Sequence, residues 1–318
     1  MTTWLMPLAR RFGSLLLVLF ATSFIVFAAM YLAPGSPESF LVRGNSVTAE
    51  TLQAIRNQYH LDQPFLAQYA LWLGGVLRGD FGLSIQFRQP VSALIASRVP
   101  TTALLVAYAA VLILVVGVLT GVLAAVKRGV VDSTAIITST VAMATPSFVV
   151  AMTLTSFFAV TLGWFPAFGA GTGFGGRLWH LTLPAVALAL SSTALVLRTT
   201  RASLITALGK EYVETARVRG FSSSRVIWAQ AFRSGIVPVV TLAGLVISGL
   251  LVTTTIVETV FGLNGIGSLL VQAVNVKDFP VVQAVILIIV AVFVTSNMVV
   301  DLLYPLLEPR ARSNGGAR

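Results

Sequence analysis

The chain has 318 residues, of which 56% are hydrophobic and 10% are charged. A mean hydropathy of +0.90 excludes an ordinary soluble protein, because soluble proteins carry about 25% charged residues to cover their surface. Lipid must therefore be the solvent over most of the chain. The net charge of +10 follows membrane sidedness, so we expect no nucleic-acid partner. The absence of cysteine excludes disulfides, thiolate metal sites and a cysteine nucleophile.

Six charge-free apolar stretches are long enough to cross about 30 Å of hydrocarbon as helices. They are Phe12–Leu32, Thr101–Val126, Thr134–Leu162, Leu181–Leu197, Ile236–Val257 and Val281–Val300. Pro146 lies inside the third stretch and predicts a kink there. The first stretch is longer than the core of a secretory signal and lacks a cleavage site, so we expect a membrane anchor. The sequence predicts an all-α membrane protein, a six-transmembrane-helix bundle.

The basic residues predict which segments face the cytoplasm. Four segments on one side of the bundle hold 14 Lys and Arg in 70 residues, and three on the other side hold 7 in 107. The basic side comprises 1–11, 127–133, 198–235 and 305–318, and the other side comprises 33–98, 163–180 and 258–280. Because cytoplasmic loops carry an excess of Lys and Arg, we expect both termini in the cytoplasm.

The long segment on the outer side is predicted to be helical. Thr48 can cap one amphipathic helix, and Asp62 can cap a second in which Pro64 occupies the first turn. The chain then divides into the N-terminal tail and first helix at 1–32, the outer segment at 33–98, a transmembrane core at 99–305 that includes a cytoplasmic segment at 201–235, and a tail at 306–318.

The cytoplasmic segment contains a short polar helix, which we predict at Lys210–Arg219. Glu211 and Glu214 lie in its first turn and Arg217 in its last, which complements the helix dipole, and Glu214 can pair with Arg217. Gly220 follows and can adopt the positive φ that ends a helix. A helix held between membrane spans can transmit the movement of a soluble partner. Charge placement alone is also consistent with an ordinary solvated helix, or with contact to anionic lipid.

The string EYVETARVRG, which begins at Glu211, resembles the "EAA" coupling loop of permease subunits in binding-protein-dependent ABC importers. The pattern falls on Glu211, Ala216 and Gly220. The general family pattern has a proline about 13 residues after the glycine, where this chain has Arg233. The proline comes later, at Pro238, as in the dipeptide/oligopeptide branch of the family.

Further similarity to that branch runs along most of the chain. It covers Leu61–Ser84, ATPSFV at Ala144–Val149, Glu258–Val274 and DLLYPLLEPR at Asp301–Arg310. The long outer segment after the first span, with a very short N-terminal tail, resembles the "B" partner of the two non-identical permeases in such systems. The chain is identified as a member of this permease family.

The resemblance implies the type I ABC importer permease fold and a place in the bacterial inner (cell) membrane as a multi-pass protein. It implies contact of the coupling helix with a cytoplasmic ATPase through Glu211, Tyr212, Glu214, Ala216, Arg217 and Gly220. The expected partners are a second homologous permease, two ABC ATPases, an extracytoplasmic substrate-binding protein, a peptide substrate and membrane lipid. ATP and Mg would bind to the ATPases, and no cofactor to this chain. Nickel or glutathione is the alternative substrate within the same family.

Two glycine-containing patterns lie in or near the spans. Gly117 and Gly121 form a GxxxG motif in the second span, which favours close helix packing over a ligand site. The turn after the fifth span shapes either an external gate or a tight re-entrant turn, and its candidate residues are Glu258, Phe261, Gly265 and Gly267. Glu258 can equally cap or anchor a helix end at the membrane interface, where a carboxylate is tolerated.

Other functional classes lack the residues that they need. No cluster of His, Asp and Glu has metal-ligand spacing, and no GxxxxGK[ST] motif could cradle ATP phosphates. No nucleophile stands beside a base, so we expect a non-catalytic subunit. An ATP-independent secondary transporter is the rival of a different class, but internal repeats and midplane charges typical of that class are not evident. An intramembrane enzyme or an assembly factor is the third possibility.

Overall fold

The computed structural model describes residues 5–32, 53 and 62–307. These residues form ten helices, and the described part of the chain has no strand beyond an isolated bridge between Leu83 and Pro90. The helices are α1 (Leu5–Leu32), α2 (Phe65–Leu77), α3 (Val91–Val126), α4 (Val130–Ala144), α5 (Ser147–Thr161), α6 (Gly173–Leu208), α7 (Glu211–Val218), α8 (Ser223–Val260), α9 (Ile266–Val276) and α10 (Phe279–Leu307). Helices α5 and α8 each contain a π-helical segment, at Thr155–Thr161 and Val226–Phe232.

The apolar helices confirm the predicted all-α membrane fold. Within the described residues, five helices (α1, α3, α6, α8 and α10) are long and apolar enough to cross a membrane, and a sixth span is formed if α4 and α5 count as one. The axes of α4 and α5 are bent by 102° at the break between them. Pro146 stands at this break as the residue before α5, because it has no N–H to continue the helix. The predicted kink at Pro146 is confirmed.

Helix α6 corrects the predicted fourth span. The apolar stretch Leu181–Leu197 is only the middle of a 36-residue helix that runs from Gly173 to Leu208. The sequence prediction ended the span at the first charged residue, but Arg198 and Arg201 lie within the helix and have polar partners on α4. Half-buried arginines with hydrogen-bonding partners do not interrupt a helix.

The chain divides into two compact units, each with its own core. The first unit comprises Met1–Pro100 and Asn264–Val294, and the second comprises Thr101–Leu263 and Thr295–Arg318. The core of the first unit is formed by Val91, Leu94, Ile95, Ile266, Leu269, Ala273, Val281, Ala284, Val285 and Ile289. The main core of the second unit is formed mostly by side chains of α3, α6 and α8, with Leu105, Ile113, Leu181, Val196, Val239 and Leu250 among them.

In the first unit, α2 is joined to α1 by aromatic side chains. Tyr69 on α2 donates to or accepts from Ser23 on α1 at 2.7 Å, and its ring lies 5.3 Å from that of Phe24. The predicted N-cap at Asp62 is wrong, because the carbonyl of Pro64 accepts the first helical bonds of α2 and Pro64 is therefore the cap residue. The helix predicted after Thr48 lies outside the described residues.

In the second unit, α3 has one face in the core and one face of exposed apolar side chains. Leu105 and Ile113 are fully buried, whereas Val111 and Leu119 are 57% and 48% exposed. Exposed apolar side chains in such numbers would be unfavourable in water. They are the expected surface of a helix whose outer face contacts lipid.

Candidate functional site

The polar helix α7 has nearly the predicted bounds. It runs from Glu211 to Val218, with Lys210 as its N-terminal and Arg219 as its C-terminal cap residue. Gly220 adopts a φ of +76°. The amide of Gly220 donates to the carbonyl of Arg217 at 2.9 Å, and the amide of the next residue donates to the carbonyl of Ala216 at 3.2 Å. This pair of bonds is a Schellman motif, which requires a residue that tolerates positive φ.

Helix α7 packs against the C-terminal ends of α3 and α6 and against the N-terminal part of α8. Val213 and Ala216 are buried in a small apolar cluster. The other members of this cluster are Val122 and Ala125 of α3, Leu204 and Ala207 of α6, and Val226 and Ala231 of α8. Tyr212 also forms a hydrogen bond with Ser234 of α8 through their hydroxyl groups. These contacts fix α7 against the bundle by one face.

The other face of α7 carries charged side chains that are exposed to solvent. Glu211, Glu214 and Arg217 are all exposed. The predicted pairing of Glu214 with Arg217 is not observed, since no salt bridge joins the two side chains in the described part of the chain. The coupling candidates therefore divide into a buried residue, Ala216, the turn residue, Gly220, and four exposed side chains that include Tyr212.

A polar contact between α4 and α6, which sequence reasoning missed, lies close to α7 along the chain. Arg201 on α6 holds the carboxylate of Asp132 on α4 with two nitrogens, and its Nη2 lies 2.6 Å from Oδ2. One turn earlier, Nε of Arg198 donates to the hydroxyl of Ser139 at 2.8 Å. A bidentate pair of this kind fixes both distance and orientation. The available signal was an acidic residue in a short basic loop opposite arginines at the end of an apolar stretch.

Glu258 and Phe261, two of the gate candidates, lie in the second unit. Glu258 is fully buried near the end of α8, where the prediction placed it at a membrane interface, and Thr102 Oγ1 donates to its Oε1 at 2.6 Å. Phe261 is buried as the cap residue that follows α8, and its carbonyl accepts a 3.1 Å bond from the amide of Gly169. The main-chain carbonyl of Glu258 accepts a 2.8 Å bond from the amide of Leu263, in the turn that follows the cap residue Phe261.

Gly265 and Gly267, the other two gate candidates, belong to the first unit. Gly265 is the residue before α9, and its amide donates to the hydroxyl of Ser268 at 3.1 Å. Gly267 is buried in the first turn of α9. The turn is therefore built by local hydrogen bonds at the start of a helix.

Gly117 and Gly121 lie where α3 packs against α6. A Cβ atom at Gly117 would lie 2.9 Å from Cγ1 of Val196, and one at Gly121 would lie 2.6 Å from Cβ of Thr200. Real Cβ atoms do not approach so closely, so the two helices can be this near only because both positions are glycine.

The described residues offer no candidate metal site. Within residues 5–32, 53 and 62–307, no three His, Cys, Asp or Glu side chains come close enough together to hold a metal ion.

The described helices are those of a multi-pass membrane protein that holds a short polar helix between two long spans. Residues 117–313 match the family described as the inner membrane component of binding-protein-dependent transport systems, and residues 4–106 match the N-terminal region of such components. The chain belongs to this family and is a permease subunit of an ABC importer, a multi-pass protein of the bacterial inner membrane. The predicted family membership is confirmed.

Named relatives match nearly the whole chain. A Brucella abortus (strain 2308) protein, named as a permease of a peptide transport system, is 36% identical over 307 residues, which are 95% of this chain and 98% of the relative. The glutathione transport system permease protein GsiC of Escherichia coli (strain K12) is 36% identical over 305 residues, 95% of this chain and 97% of its own.

Solved structures match the fold. A chain of the MetNI methionine ABC transporter in an inward-facing conformation has a TM-score of 0.53 at 15% identity and covers 67% of this chain and 96% of its own length. A chain of an amino acid ABC transporter crystallised with histidines has a TM-score of 0.52 at 20% identity and covers 68% and 94%. At these identities the likeness establishes the architecture, which is that of an ABC importer permease.

Proposed function

We propose that this chain forms half of the translocation pathway of an ATP-driven peptide importer and couples to a cytoplasmic ATPase through α7. A second, homologous permease supplies the other half, and two ABC ATPases and an extracytoplasmic binding protein complete the complex. The observation that supports this proposal is the difference between the two faces of α7. Val213 and Ala216 bury one face against the bundle, while Glu211 and Glu214 leave the other face charged and exposed.

Anchoring of this kind suits the transmission of a rigid-body movement. Val213 contacts a cluster that includes side chains from the ends of α3, α6 and α8, so a partner that displaces α7 displaces three long helices together. Closure of an ATPase dimer on ATP would push the helix ends from the cytoplasmic side, and hydrolysis would release them. The positive-inside distribution, which puts both termini in the cytoplasm, supports this placement of α7.

ATP binding and hydrolysis belong to the partner subunits in this proposal. ATP phosphates require a glycine-rich loop with a lysine, and the Gly209–Lys210 pair is followed by Glu211 and lacks the upstream glycine. The chain then acts as a non-catalytic subunit, and Mg enters the complex with the ATP of its partners.

The proposed substrate class is short peptides. The Brucella relative is named for peptide transport, and the E. coli relative is named for glutathione, a modified tripeptide. Nickel and glutathione are the alternative cargoes within the family, and we favour peptides on the name of the Brucella relative. The rival ATP-independent secondary transporter is disfavoured by membership in the binding-protein-dependent family.

The test exploits the turn that ends α7. Gly220 needs a φ of +76°, and a Cβ at this position would meet nothing within 4 Å, so backbone conformation alone decides what the site tolerates. Proline cannot adopt positive φ and also removes the amide that donates to Arg217. Asparagine tolerates the left-handed region and keeps the amide. Gly220→Pro and Gly220→Asn are therefore a matched pair.

The measurement is ATP-driven uptake of a labelled dipeptide by the complete transporter in proteoliposomes, together with ATP hydrolysis. We expect Gly220→Asn to retain uptake and Gly220→Pro to lose it while hydrolysis continues, which is uncoupling. Equal uptake by both variants would disprove the coupling role of α7. Uptake of nickel in place of the dipeptide by the unmodified transporter would disprove the substrate class and leave the coupling role standing.

A further inference from the structure

A cavity of about 460 Å³ lies beside α7, between the C-terminal ends of α3 and α6 and the beginning of α8. Its apolar wall includes Val126, Ile205, Leu208 and Ile227. A volume of this size lies within the range of small-molecule sites. Arg217 lines the cavity and is also one of the exposed coupling candidates of α7, whereas Glu211 and Glu214 do not line it.

Two guanidinium groups line this cavity and no carboxylate does. Arg128 stands in the turn between α3 and α4, and Arg217 stands in the last turn of α7. Neither arginine forms a salt bridge with any side chain in the described part of the chain. A third guanidinium, that of Arg225, lies 5.5 Å from the ring of Phe221, which also lines the cavity. The cavity therefore attracts an anion and leaves the arginine forks available to it.

The cavity lies where the apolar stretch of α3 ends at Val126 and the basic residues Lys127 and Arg128 follow. Helix α3 ends at Val126 and α6 ends at Leu208, and both are long enough to span the membrane. The apolar wall comes from the last turns of these helices, and the arginines come from the segments just beyond them. Basic pockets between membrane helices on the cytoplasmic side suit phospholipid headgroups.

We propose that this cavity binds the phosphate group of an anionic phospholipid from the inner leaflet. The planar guanidinium groups of Arg128 and Arg217 match a phosphate, to which each can donate two hydrogen bonds. Val126, Ile205 and Leu208 contact the first methylene groups of the acyl chains. The lipid thereby links the turn after α3 to the last turn of α7. Free phosphate has the same headgroup chemistry but no acyl chain that would contact the apolar wall.

The experiment measures lipid binding by the full chain, purified and delipidated in detergent, by native mass spectrometry. The probes are phosphatidylglycerol and phosphatidylcholine of identical acyl chains. We expect preferential binding of phosphatidylglycerol. The double variant Arg128→Gln/Arg217→Gln should bind it about tenfold more weakly, because each lost arginine–phosphate contact is a charge-assisted hydrogen bond. Both side chains are exposed, so their replacement does not disturb the core.

A control variant is Arg219→Gln, which removes one positive charge from the end of α7 at a residue that does not line the cavity. It should bind phosphatidylglycerol like the unmodified chain. If Arg219→Gln weakens binding as much as the double variant, general surface charge attracts the lipid and the proposed site is disproved. Unchanged binding by the double variant would disprove it as well.

Two further arms distinguish a lipid from a soluble anion. Ile205→Trp fills the apolar part of the cavity and keeps both arginines, so it should weaken phosphatidylglycerol binding severalfold. Inorganic phosphate at millimolar concentration should not displace the lipid. Displacement by phosphate, or full lipid binding by Ile205→Trp, would overturn the assignment to a phospholipid. All lipid-binding measurements use the chain without its ATPase, so their outcome does not depend on the coupling role of α7.

Discussion

The hydroxyl of Ser84 donates a 2.5 Å hydrogen bond to Oδ2 of Asp278, a fully buried carboxylate 194 residues away in the sequence. The amides of Ile85 and Gln86 donate to the same carboxylate at 3.3 and 3.1 Å. Ser84 Oγ in turn accepts from the amide of Phe87 at 2.9 Å. The loop between α2 and α3 is thus held on the turn between α9 and α10 by a single side chain, all within the first unit.

Asp278→Asn should destabilise the chain, because the amide keeps the shape of the side chain and loses the charge that three donors face. We expect a loss of about 1–3 kcal/mol in the free energy of unfolding. The measurement is thermal or chemical unfolding of the full chain in detergent. Asp80→Asn is the control, since Asp80 accepts a 2.9 Å bond from the amide of Gly82 at an exposed site. Equal losses for the two variants would contradict the importance of burial.

The ion pair between Asp132 and Arg201 should show a measurable coupling energy. Its side chains are only 20% and 26% exposed, and the contact is bidentate. A double-mutant cycle of Asp132→Asn and Arg201→Gln should give a favourable coupling in unfolding free energy. Pairing Asp132→Asn with Arg177→Gln is the control cycle, because Arg177 lies about 36 Å from Arg201 along the helix and should give none. A zero coupling in the first cycle would show that the contact adds nothing to stability.

Gly121→Ala should destabilise the contact between α3 and α6. The added methyl would lie 2.6 Å from Cβ of Thr200 and 2.7 Å from the carbonyl oxygen of Leu197, so the helices must separate. Overpacking of this kind costs about 1–3 kcal/mol. The comparison is Gly249→Ala in α8, where a Cβ meets nothing within 4 Å and alanine favours the helix. Unfolding of both variants in detergent is the measurement, and a stable Gly121→Ala would contradict the close approach of the helices.

Features that depend on neighbouring residues were predictable from the chain. The apolar stretches predicted the membrane helices. Pro146 predicted the break between α4 and α5, because a proline lacks the N–H group that would continue the helix at that turn. The bounds of α7 and the positive φ at Gly220 also follow from local rules for helix ends. Family membership was also predictable, because it was inferred from short strings of adjacent residues.

Features that depend on distant residues were decided by the tertiary structure. Nothing near Asp278 indicates that Ser84 will donate to it, and the charges of Asp132 and Arg201 do not show that these two residues pair, because hydropathy and periodicity contain no information about pairing between remote segments. Helix α6 continues through Arg198 and Arg201, whose side chains have partners on α4. Sequence alone determined the lipid-solvated helices and the turn at Gly220. Packing decided which polar groups are buried between helices, since a charge is stable there only where a distant partner satisfies it.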